Sequence, residues 1–153
     1  MVGYFEDTIE RVVVLAMFLP VLAGQCGNLG AQSMAVMLRG MTLGELRGMR
    51  VATLLAKESL LGLLNGAATG LLAGAAMYVL VQRSGGDALS LALVTLVAMA
   101  ASCLVAGLAG AVIPLVLKRL GTDPATASSI FLSTITDVVS MGLFLGLVTW
   151  LVL

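Results

Sequence analysis

The sequence predicts an all-α integral membrane protein, a bundle of about four long transmembrane helices, and three observations carry that prediction. Of its 153 residues 60% are hydrophobic and only 10% charged, whereas about a quarter of the residues in soluble chains are charged. The charges cut the chain into four long runs, Val12 to Leu38, Ser59 to Gln82, Ala88 to Leu117 and Pro124 to Leu153, with Asp137 the sole charge inside the last. Each run exceeds the ~20 residues a helix needs to cross hydrocarbon. The links between runs are short and punctuated by glycine: Arg39 to Glu58, Arg83 to Asp87, and Lys118 to Asp123. None can hold a soluble domain, so residues 1–153 read as a single transmembrane unit with no soluble regulatory domain. Its helices are expected at about 9–38, 50–82, 88–118 and 124–153.

The first helix follows an N-terminus, Met1 to Asp7, that lacks the basic start and small-residue cleavage site of a signal peptide. In mid-run it carries Pro20 and then Gly24, Gln25, Cys26, Gly27, Asn28, Gly30, Gln32 and Ser33. Pro20, Gly24, Asn28 and Gln32 recur every four residues and share a face. Within a bilayer, weakened helix survives where it is buried in protein or lines a watery cavity, and there its carbonyls can hold ions or their waters. The competing reading is close packing at the glycines, with Asn28 and Gln32 as interhelical hydrogen-bonding groups.

The second helix opens near Lys57 and Glu58, where Glu58 reads most simply as an interfacial charge. It continues with Gly62, Gly66, Gly70 and Gly74 at i, i+4 spacing. Such a stripe lets membrane helices approach closely, and close packing and dimerisation are expected from it. The third helix contributes Cys103. With Cys26 it forms no CxxC pair, and the chain has no histidine to complete a zinc set. Both cysteines read as packing residues.

The last helix is opened by Asp123 as N-cap and Pro124 at the first helical position. Capping accounts for this pair; a second role for Asp123, as an acidic ligand at the inner mouth of a path, is compatible with it. Asp137 is the most informative residue. An ionised carboxylate midway along a membrane helix costs at least about 2.5 kcal/mol, so something must offset it. At 100° per residue, Thr126, Ser129, Ser133, Asp137 and Ser140 fall within roughly an 80° arc, giving this helix a polar stripe. Hydroxyls with one carboxylate at mid-depth suit a hydrated cation path, because oxygen ligands favour Mg²⁺ and Ca²⁺ over softer metals. The alternative is a protonated Asp137 hydrogen-bonded to a neighbouring helix. Mg²⁺ keeps much of its water and is usually held by one or two carboxylates. A homodimer would bring two copies of Asp137 across one hydrated ion.

Arg39, Arg47, Arg50, Lys57, Lys118 and Arg119 fall on one side of the bundle, against Arg11 and Arg83 on the other. Basic residues accumulate on the cytoplasmic side, so both termini are expected to face outward, in a multi-pass protein of the cell membrane, the inner membrane of a prokaryote. Zero net charge and the absence of any basic block leave nothing to hold nucleic acid. No phosphate-binding loop, nucleophile–base pair or metal triad suggests an enzyme. Two other membrane roles stay open at this point: a small proton-coupled carrier or exporter, and a non-conducting assembly subunit.

Taken in order, Phe5-Glu6-Asp7-Thr8-Ile9, Pro20-x3-Gly24-x2-Gly27-Asn28-x-Gly30-x-Gln32-Ser33, Arg39-Gly40, Gly121-x-Asp123-Pro124-Ala125 and Thr134-x2-Asp137 resemble the membrane domain of MgtE-type magnesium channels. The solute-carrier magnesium transporters are eukaryotic relatives of that family. The resemblance implies passive Mg²⁺ permeation through a pore on a dimer axis between two membrane helices, with membrane lipid around it. It implies Asp137 as the central metal site, Asp123 as an acidic residue near the inner end, and Gly24, Gly27, Asn28, Ser129, Ser133 and Ser140 along the ion pathway. Mg²⁺ is the implied bound and transported ion, with Mn²⁺, Co²⁺ and Ca²⁺ as further candidates. Family membrane domains usually have five helices, and the resemblance begins at the link after the first. The paired CBS sensor domains of the family have no counterpart here, so any gating by intracellular Mg²⁺ is expected at the pore's own inner mouth.

Overall fold

The structure, a computed structural model of the chain, describes residues 2–45, 51–83 and 86–152, with the side chains of Thr126 and Ala127 excepted. Arg47 and Arg50 of the basic link, Ser84 and Gly85 of the second link, Leu153, and the side chain of Thr126 in the polar stripe lie outside the described residues.

The fold is all-helical. A 3-10 turn at Val2–Phe5 leads into the short α1 (Glu6–Arg11), followed by α2 (Val14–Thr42), α3 (Val51–Gln82), α4 (Ala88–Arg119) and α5 (Pro124–Leu151). The four long helices are each long and apolar enough to cross a membrane. The first of them starts later than the expected residue 9 and runs past residue 38 to Thr42. Four of the six residues of α1 are charged, Glu6, Asp7, Glu10 and Arg11, and these do not enter hydrocarbon. The chain breaks at Val12 (φ −132°, ψ 76°) within a run of three β-branched valines, which are weak helix formers. The break lets α1 fold onto the far end of α5, where the Thr8 and Thr149 hydroxyls meet at 2.8 Å.

Glycine ends two of the long helices. Gly44 (φ 70°) and Gly121 (φ 76°) take the left-handed conformation that costs other residues most. After α4, the Gly121 N–H bonds back to the Lys118 carbonyl at 3.2 Å and the Thr122 N–H to Leu117 at 3.1 Å. After α2, Gly44 bonds to Met41 at 3.3 Å and Glu45 to Gly40 at 3.0 Å. In each case two carbonyls that the helix leaves unpaired are satisfied. At the start of α4 the Asp87 carboxylate accepts from the Ser90 N–H at 3.2 Å.

Helix α4 is the spine. It packs against each of the other three long helices, α2 and α5 also touch, and α2 and α3 hardly meet. The core lies where α2, α4 and α5 converge, around Leu15, Leu22, Met99, Phe144, Leu145 and Val148. Cys26 and Cys103 are both free and wholly buried there, their sulfurs 3.8 Å apart between α2 and α4. The α3–α4 seam is the closest. A Cβ added at Gly66 would lie 2.9 Å from the Ala100 Cα, one at Gly70 3.0 Å from the Leu96 carbonyl, and one at Gly74 2.8 Å from the Ala92 carbonyl. The Gly62–Gly74 stripe is therefore spent inside the protomer and is not available as a surface for a second copy.

Candidate functional site

Asp137 sits at the middle of α5, thirteen residues after Pro124 and fourteen before Leu151. Asn28 holds the corresponding place in α2, fourteen residues from each end. With a rise of about 1.5 Å per residue, both lie roughly 20 Å from either helix terminus, the depth at which a bilayer offers a charge least. Asp137 is nevertheless exposed on the protomer, as are Ser133 and Ser129, one and two turns before it. The Ser133 hydroxyl donates to the Ile130 carbonyl at 3.1 Å, which leaves its lone pairs facing outward. Ser129, Ser133 and Asp137 recur every four residues and make one continuous oxygen-bearing ridge.

Helix α2 presents a matching open face. Gly24 and Asn28 are exposed and Gly27 is half-buried. A Cβ added at Gly24 or Gly27 would meet no atom within 4 Å. These glycines have no packing role inside the protomer, in contrast to Gly30, whose added Cβ would sit 2.9 Å from a methyl group of Leu132 on α5. Helices α2 and α5 are in contact.

Two of the sequence-derived residues fall away from this ridge. Ser140 is wholly buried, and its hydroxyl donates to the Asp137 backbone carbonyl at 3.3 Å. Three residues further on from Asp137 it has rotated 300°, to the side that faces the protomer's own core. Asp123 lies beyond the helix end, where its carboxylate accepts from the Ala125 N–H at 3.0 Å as the N-cap. It is exposed at the same end of the bundle as Lys118 and Arg119.

The residue that sequence reasoning misplaced is Glu58. Its depth near the start of α3 is as an interfacial charge would have it, but its side chain points inward and only 7% of it is exposed. The signal was in the spacing, since Glu58 precedes Gly62 by four residues and so belongs to the stripe that packs on α4. Among the described residues no three His, Cys, Asp or Glu side chains come together as a metal cage. The chemistry the ridge offers is that of single carboxylates and hydroxyls, which suits an ion that retains its water.

A sequence model of the MgtE family, described as a divalent cation transporter, matches residues 19–147. The chain belongs to this family. It is similar to the magnesium transporter MgtE of Bacillus subtilis, 32% identical over 148 residues that make up 97% of this chain and 32% of the relative. It is also similar to the magnesium transporter MgtE of Enterococcus faecalis, 32% identical over 147 residues, or 96% of this chain and 31% of the relative. The magnesium transporter MgtE of Thermus thermophilus is 33% identical over 143 residues, covering 93% of this chain and 30% of that protein. The chain thus spans about a third of the length of these curated relatives. The family is one of membrane transporters and not of enzymes, and the four spans make this chain a multi-pass membrane protein.

Proposed function

We propose that this chain forms the ion-conducting membrane part of a magnesium transporter, and that two copies enclose a water-filled path with Asp137 as its central cation site. The observation that carries this reading is the exposure of Asp137 at mid-helix. A carboxylate there cannot face lipid without a cost of several kcal/mol, and within the protomer no element covers it. A second copy related by a twofold axis would bring another Ser129–Ser133–Asp137 ridge opposite the first, and the open glycines of α2 would give the path its width. Each carboxylate then neutralises a shared hydrated cation instead of standing alone. Mg²⁺ fits because it is held through its waters by few carboxylates, and membership in a divalent cation transporter family points to the same ion class. In this arrangement Asp137 binds and orients the hydrated ion. Ser129 and Ser133 accept hydrogen bonds from its waters, and Asn28 lines the opposite wall. The driving force is the electrochemical gradient.

The test is Mg²⁺ uptake into proteoliposomes carrying the purified protein, read with an entrapped Mg²⁺ dye, for wild type and Asp137→Asn. The substitution preserves shape and removes the charge. Uptake is expected to drop to the level of protein-free vesicles, and undiminished uptake would overturn the central role of Asp137.

A further inference from the structure

Glu58 opens onto a crevice of mixed apolar and polar lining that the proposed path does not use. The crevice lies between α2 and α3, where these helices diverge, with Gly107 of α4 at its floor. Its outer part, about 240 Å³, is lined by Glu58, Glu45, Ser33, Thr53 and Lys57, and its inner part, about 200 Å³, by Glu58, Ser33, Gln32 and Asn65. A space of this size admits many waters, since about 15 Å³ suffices for one.

Only 7% of Glu58 is exposed; its carboxylate oxygens stay open to the crevice, and among the described residues they have no hydrogen-bond or ion-pair partner. A carboxylate in that position depends on whatever the crevice holds, water or a cation, for its compensation. Lys57, its neighbour in sequence, is exposed on the rim and forms no ion pair with it. Among the described lining residues, Glu45 and Glu58 carry negative charge and Lys57 positive charge. The Ser33 hydroxyl donates to the Gly107 carbonyl at 2.8 Å, so its oxygen is fixed with lone pairs free to accept. The amide oxygens of Gln32 and Asn65 add neutral acceptors.

We infer that this crevice is a second binding site for a hydrated divalent cation, one within each protomer and separate from the ridge around Asp137, with Glu58 as its anchoring carboxylate. The inference rests on the divalent-transport reading only for the identity of the ion. Bound there, the cation's waters donate to Glu58, Glu45, Ser33 and the two amides, and the ion joins α2 to α3 where the protein alone leaves them apart. Because α2 also carries Asn28, occupancy at the crevice bears on the wall of the proposed path. The site lies at the end of the bundle that bears Arg39, Lys118 and Arg119, the end assigned to the cytoplasm, so it would fill as the internal divalent concentration rises.

The experiment is Mn²⁺ binding to the purified full chain, with Mn²⁺ alone as probe and free Mn²⁺ read by electron paramagnetic resonance. Wild type, Glu58→Gln, Glu45→Gln and Asp137→Asn are compared, with elution volume and thermal unfolding recorded for each. Glu58→Gln is expected to lose one bound Mn²⁺ per protomer, Glu45→Gln to weaken that site on the order of tenfold, and Asp137→Asn to retain it. A folded Glu58→Gln that binds as much Mn²⁺ as wild type overturns the inference. Should Glu58→Gln fail to fold, unchanged affinity in Glu45→Gln, whose side chain is exposed beyond the end of α2, overturns it equally. If Asp137→Asn abolishes all Mn²⁺ binding, the crevice holds no ion of its own and the inference falls while the path reading stands. Loss in Glu58→Gln beside undiminished Mg²⁺ uptake in Asp137→Asn would spare the crevice and remove the path reading.

Discussion

Glycine serves opposite ends in two regions of this molecule. Along α3, Gly62, Gly66, Gly70 and Gly74 are buried against the backbone of α4, so that any side chain there would collide with main-chain atoms. Along α2, a Cβ added at Gly24 or Gly27 would enter open space. The first set holds the bundle together, while the second leaves open a helix face that, in the proposed path, lies beside Asp137. Spacing does not separate them, since both recur at helical intervals. What separates them is which face the spine helix α4 covers.

Two substitutions test that contrast, in order of expected effect. Gly66→Leu should cost about 3 kcal/mol or prevent folding, because its Cβ would already lie 2.9 Å from the Ala100 Cα and backbone cannot yield as a side chain can. Thermal unfolding in detergent measures this, and a near-normal melting temperature would mean that the seam is looser than described. Gly27→Leu should leave stability within about 0.5 kcal/mol, as for other substitutions that meet no neighbour. It should still reduce Mg²⁺ uptake into proteoliposomes by narrowing the proposed path; normal uptake would break the comparison from the other side.

The smallest effect concerns the cap of α4, outside both regions. Hydrogen bonding from Ser90 holds the Asp87 carboxyl below the usual carboxylate range. A lowered folded-state pKa means that the cap's contribution is present above the unfolded value of about 3.9 and disappears as pH falls through the lower folded value. Asp87→Asn should therefore match wild type in stability once the pH lies below the lowered folded-state value and fall slightly below it at neutral pH, in unfolding scans across that window. A difference independent of pH would show that the charge of Asp87 contributes nothing.

Much of the fold was legible because charge is so costly in hydrocarbon that it delimits the spans. The ends of α4 and the start of α5 followed from Lys118, Arg119, Gly121, Asp123 and Pro124. The break at Val12 was not read from the sequence, and the Thr8–Thr149 contact that it permits joins residues at opposite ends of the chain. Asp137 announced itself by being the only charge in its run. Ser140 was placed on the same face by a wide angular allowance, although the covering helices divide that arc. Glu58 was read from its neighbour Lys57 and not from its place four residues before Gly62, so its inward orientation was overlooked.

The most direct measurement of the central claim is the anomalous diffraction of crystals grown with Mn²⁺ in place of Mg²⁺. The account requires a strong peak on a twofold axis between the Asp137 carboxylates of two protomers, at a distance that leaves room for bound water. A well-ordered Asp137 that packs against lipid or within its own subunit, with no peak beside it, would contradict the account.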